Sequence, residues 1–115
     1  MRLVLHSVAT ASIRNLRTWS PEDPEVFCET LYLYIGPGPR SHGTNIFTIT
    51  AATPKGLMAR GAVNNIICEG PMLIIQVYDW TTLWSWLDRT VRACQAPTWD
   101  ESVQRLRRWF RWEYD

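Results

Sequence analysis

Through residues 25–35 the chain alternates with a period of two. Phe27, Leu31, Leu33 and Ile35 share one parity with Glu29, while Val26, Cys28, Thr30, Tyr32 and Tyr34 share the other. That period, carried by β-branched and aromatic residues, predicts a strand. Gly36-Pro37-Gly38-Pro39 stops it, and the loop 36–44, with Ser41 and His42, predicts a long hairpin connection to a second strand over 45–52. Residues 2–8 alternate more weakly, enough for a first strand, and Trp19-Ser20-Pro21-Glu22-Asp23-Pro24 marks a fixed turn after it. Thr53-Pro54 offers an N-cap with proline at the first helical position, which predicts a short helix over 54–60 that Gly56 weakens. Residues 61–71, with Gly61, Asn64, Asn65, Gly70 and Pro71, predict irregular chain. Residues 72–78 are nearly continuously apolar, as expected of a strand covered on both faces.

The period then lengthens. Asp79 is placed to cap a helix running to about Ala93, with Trp80, Trp84, Leu87, Val91 and Cys94 on one stripe. Gln95-Ala96-Pro97 breaks it. Thr98-Trp99-Asp100-Glu101 has the form of a capping box, and Trp99, Val103, Leu106 and Phe110 form the stripe of a last helix. Strands first and helices last predict an α+β fold: an antiparallel sheet of about four strands with two C-terminal helices packed on one face. At 115 residues, the chain is expected to form a single domain spanning 1–115. No repeat or linker interrupts it.

Composition narrows the classes. An apolar share of 46% against 20% charged residues excludes a disordered chain. Seven Trp bring enough aromatic area to fill much of a core, with some left for the surface. The formal net charge of +1 gives no global steering toward nucleic acid or an anionic membrane. Charge is unevenly distributed, however. Glu22, Asp23, Glu25 and Glu29 fall in a stretch with no base, and Arg105, Arg107, Arg108 and Arg111 in one with no acid. The widely spaced Cys28, Cys68 and Cys94 suit neither a disulfide framework nor a zinc site and are expected as reduced core thiols. The N-terminus turns polar too soon for a signal peptide, and no apolar run approaches the ~20 residues of a membrane span.

Candidate chemistry is thin. No nucleophile elbow, zinc-protease signature, P-loop or dinucleotide fingerprint occurs. Gly36-Pro37-Gly38-Pro39 lacks the amide protons that would cradle phosphate, and Glu22-Asp23 reads as a solvated turn better than as an acid–base pair. The histidines, His6 and His42, sit apart. The reading is therefore not an enzyme, with no catalytic residues, metal or cofactor. The run Arg105-Leu106-Arg107-Arg108-Trp109-Phe110-Arg111-Trp112 interleaves bases and aromatics, as single-strand binders do. An amphipathic core helix with a solvated basic face, supported by a Glu101–Arg105 pair, explains it more simply. Trp86 lies off its helix stripe, which makes it a candidate for exposure and for anchoring an interface.

Several pieces in order carry a resemblance: Ser20-Pro21-Glu22-Asp23-Pro24 before the strand with Phe27, Ile35-Gly36-Pro37, Thr53-Pro54-Lys55-Gly56-Leu57, the run from Tyr78 to Cys94, Thr98-Trp99-Asp100-Glu101 and Trp112-Glu113-Tyr114. On these the chain, from about 15 to 115, resembles the immunity protein 8 family of bacterial polymorphic toxin systems. It departs from the family pattern at Gly56, where a Trp is expected, and in the basic character of its C-terminal Arg cluster. The resemblance implies a cytoplasmic antidote, of the contact-dependent growth inhibition type among others. Such a protein neutralises a toxin, often a nuclease, by stoichiometric binding of its C-terminal domain in a heterodimer.

Nuclease toxins need basic surfaces for phosphate. Glu22, Asp23, Glu25, Glu29 and Trp86 are accordingly the expected toxin contacts. Neither a membrane nor nucleic acid is the expected partner. The alternatives are a small nucleic-acid-binding module using the C-terminal Arg/Trp helix, and a hydrolase with an unrecognised site.

Overall fold

A computed structural model of the chain describes residues 2–39, 43–61 and 66–115. Expectations resting on Ser41, His42, Asn64 and Asn65 lie outside the described residues. The elements follow the order β1 (Leu3–Ala9), β2 (Cys28–Pro37), β3 (Asn45–Ala52), α1 (Pro54–Arg60), β4 (Met72–Ile74), α2 (Trp80–Ala93), α3 (Trp99–Leu106) and β5 (Arg111–Trp112). The fold is α+β. β1, β2 and β3 pair antiparallel in chain order, with Leu33 opposite Phe47 and Leu5 opposite Ile35. A register shift between Leu5 and Ser7 in β1 leaves His6 without a partner across the ladder.

The free edge of β3 is shared end to end by two short strands. β5 runs antiparallel beside Phe47 and Thr48, and β4 runs parallel beside Thr50 to Ala52. The sheet is therefore five-stranded and mixed, where about four antiparallel strands were expected. Residues 72–78 hold a strand only to Ile74, and it is not covered on both faces: Ile74 is 54% exposed. The last bond to β3 runs from the Ile75 amide to the Ala52 carbonyl. The chain then turns so that the Tyr78 amide donates to the Pro24 carbonyl, 2.7 Å away. Continuing the strand would forfeit that tie.

One sheet face carries Leu31, Leu33, Ile35, Phe47, Ile49 and Ala51, all buried, and the two long helices close it with Leu83, Leu87 and Val91 from α2 and Val103 and Leu106 from α3. The α2 stripe is thus Leu83, Leu87, Val91 and Cys94; Trp80 and Trp84, expected inside, sit half-buried at its rim against each other, ring centroids 5.7 Å apart. None of the seven Trp is fully buried. Six pack around the outside of the core, and Trp109 is 50% exposed.

α3 stops at Leu106, four residues short of Phe110. The amides of Trp109 and Phe110 both fold back onto the Leu106 carbonyl, which turns the chain so that Phe110 is buried and Trp112 reaches β3, where it stacks on Phe47. The run 105–112 is therefore not one helix, and its arginines do not share a helical face. Arg105 donates to the Gln95 carbonyl rather than pairing with Glu101. The thiols are all free, but only Cys94 is a core thiol; Cys28 is half-buried and Cys68 exposed. Burial pushes the Cys94 thiol above its ordinary pKa.

Candidate functional site

The acidic turn is built on Thr53. This buried side chain caps α1 by accepting from the Gly56 amide (3.0 Å), accepts from the Phe27 amide (3.0 Å) and donates to the Glu25 carbonyl (2.6 Å). One hydroxyl thus joins the start of α1 to the segment that presents the carboxylates. Asp23 shapes the turn itself: its Oδ1 accepts from the Glu25 amide and its carbonyl from the Val26 amide, each at 2.9 Å. Beneath the turn, Trp19, Phe27 and Tyr78 form an aromatic cluster, and the Tyr78 hydroxyl donates to the Leu16 carbonyl. Burial holds that phenol above its ordinary pKa.

Gly56 is required where it stands. A Cβ there would fall onto the Phe27 backbone carbonyl, so α1 and the start of β2 pack backbone to backbone. The Trp expected at this position from the family pattern has no room.

The five expected contact residues separate into two places. Glu22, Asp23 and Glu25 are exposed and Glu29 is half-buried. Glu22 and Glu29 line one hollow of about 610 Å³ with Trp19, Phe27 and Arg60. Two of the nearby bases are already engaged: Lys55 bonds Glu25 at 2.6 Å, and Arg60 bonds Glu69 at 2.5 Å. The hydrogen bond to Glu25, and then its charge, raises the Lys55 ammonium above its ordinary pKa. Both members of that pair are more than half exposed, so solvent screens it and Glu25 is left available to a partner.

Trp86 lies elsewhere, half-buried rather than free. Its ring meets Trp109 edge-on, centroids 6.0 Å apart, and both line a groove of about 490 Å³ between β4, α2 and the turn after α3. Sequence reasoning missed this groove. Its signal was Trp109, in a run whose aromatics were read as stacking platforms or helix core rather than as a partner for Trp86.

Of the histidines, His6 has a buried Nε2 that finds no hydrogen-bond partner among the described residues. No group of three or more His, Cys, Asp or Glu able to hold a metal ion occurs among the described residues, and no described helix is long and apolar enough to cross a membrane.

A family model described as immunity protein 8 matches residues 3–115, essentially the whole chain. No curated protein and no solved structure matches it.

Proposed function

The chain belongs to the immunity protein 8 family, and from that premise we infer that it neutralises its toxin as a stoichiometric antidote. Membership makes it an immunity protein directed against a cognate toxin; the match across residues 3–115 is the observation that carries the reading. The finer reading is a one-domain cytoplasmic inhibitor, of the contact-dependent growth inhibition type. It holds the toxin's C-terminal domain in a high-affinity heterodimer and performs no chemistry of its own.

The toxin is read as a nuclease. Its phosphate-binding surface must be basic, and Glu22, Asp23, Glu25 and Glu29 offer carboxylates on a turn that Thr53 fixes to the rest of the fold. Because the turn is tied at several points, it meets a partner without ordering first, which spares the association an entropic cost. Trp86 completes the expected contacts as an aromatic anchor.

The rival reading, a nucleic-acid module on a basic helix, has lost its element, since α3 ends at Leu106 and Arg107 is paired with Asp115 at 2.6 Å. Co-expression with its cognate toxin domain tests the proposal. The expected result is a one-to-one complex on gel filtration and survival of the host. A toxin that elutes alone and kills at full potency overturns it.

A further inference from the structure

The groove beside Trp86 has features that the acidic turn lacks. β4 is the last strand of its path and, among the described residues, pairs only with β3. The Thr50 amide bonds the Pro71 carbonyl, and the Ile75 amide bonds the Ala52 carbonyl, so the backbone groups of positions 71, 73 and 75 face β3. Strand alternation then turns the amides and carbonyls of Met72 and Ile74 outward. An edge of this kind invites another strand, and natural edges are guarded by charge or proline. Here only Pro71 stands at one end, and Ile74 is 54% exposed.

The groove floor and walls are apolar, formed by Leu73, Ile75, Leu83, Trp86 and Trp109, with one charged side chain, Arg108. Arg108 forms no ion pair with any described residue, unlike neighbouring Arg107.

We propose that this groove and the β4 edge together receive an extended segment of the toxin, which adds a strand to the sheet and presents an apolar side chain and, two residues away, a carboxylate to Arg108. The spacing follows from the strand: residues i and i+2 share a face, so one packs into the groove against Trp86 and Trp109 while the other meets the guanidinium. Charge decides between the possible occupants. A second copy of this chain pairing β4 with β4 would bring two Arg108 side chains to the same three-residue ladder, roughly 10 Å long. Like charges there oppose self-association, and an acidic segment relieves them. The inference rests on the proposed toxin complex and adds a second, chemically opposite contact to it.

The test uses the cognate toxin domain, catalytically disabled, titrated against the full chain, with residue-resolved hydrogen exchange on the free and bound protein. The Met72 and Ile74 amides are expected to exchange freely alone and to be protected in the complex. Arg108→Glu and Ile74→Lys, both at exposed positions, are each expected to weaken binding about tenfold or more, with Arg108→Lys losing less than Arg108→Glu. Unprotected Met72 and Ile74 amides in a formed complex overturn strand addition. Unchanged affinity of Arg108→Glu overturns the carboxylate contact. In either case the toxin-binding function stands. A wild-type protein that does not bind the toxin at all removes both.

Discussion

At Gly56 two effects of opposite sign meet. An alanine in a helix interior gains about 1 kcal/mol over glycine in intrinsic propensity. Against that, the new Cβ would occupy the space of the Phe27 backbone, and backbone on both sides leaves no flexible side chain to yield. Overpacking of this kind costs about 1–3 kcal/mol, occasionally more. The clash is also coupled to Thr53, whose hydroxyl bonds both Gly56 and Phe27. Gly56→Ala is therefore expected to destabilise the fold by about 1–2 kcal/mol net, read as a lowered urea midpoint at unchanged slope. A variant as stable as the parent would show that α1 can shift away from β2. The sequence marked Gly56 as a weak helix residue and as a departure from the family pattern but not as a required glycine, because propensity is local and the contact that demands glycine spans the fold. Thr53 and Asp79 were legible as caps, since capping is a local matter: the Thr82 amide donates to Asp79 and the Glu101 amide to Thr98. The wider role of Thr53 in holding the acidic turn was not.

The elements with a long, regular period were readable, and the others were not. β3 spans the predicted residues 45–52 without change, and α2 runs from Trp80 to Ala93 as its cap and breaker require. β4 and β5, three and two residues long, are too short to carry a period. In α2 the period found the helix but not which of two adjacent columns faces inward, so Leu83 took the place given to Trp80 and Trp84. β5 is held instead by tertiary contacts. Its Trp112 stacks on Phe47, the Trp112 amide donates to Asp115 at 2.9 Å, and Asp115 also bonds Arg107. The hydrogen bond from the Trp112 amide, and then Arg107, hold the Asp115 carboxyl below its ordinary pKa. A carboxyl depressed in the folded state stabilises it above the unfolded-state value, roughly pH 4, and that contribution is lost as pH falls through the lower folded value. Acidification below about pH 4 is thus expected to release the Asp115 tie and raise exchange at the Trp112 amide before the core opens. Asp115→Asn should show the faster exchange already at neutral pH, with a flatter acid profile. If the variant and the parent share one profile, the tie does not hold β5.

For the molecule as a whole, strands followed by helices on one sheet face were legible from the order of the patterns, and the partner class came from the ordered short motifs rather than from any chemistry. What no single pattern revealed is that Glu22 and Glu29 line one hollow while Trp86 lines another with Arg108, the two having no lining residue in common. A net charge of +1 hides this division, since the carboxylates and the arginines nearly cancel in the sum. As proposed contact sites, the two would act on different rate constants. Exposed charges steer encounter and are screened by salt over about 8–10 Å, whereas a desolvated groove governs how long a complex lasts. Replacing Glu22, Glu25 and Glu29 by Gln and Asp23 by Asn removes four negative charges and keeps an Oδ1 at residue 23 to accept from the Glu25 amide. It also frees Lys55, which adds repulsion toward a basic toxin. The association rate is therefore expected to fall about tenfold at low ionic strength with the dissociation rate little changed, and the difference should shrink as salt is raised. Stopped-flow association across a salt series measures this directly. An association rate and a toxin neutralisation equal to the parent's at low salt would show that the acidic turn does not face the toxin, and the groove would then be left to carry recognition alone.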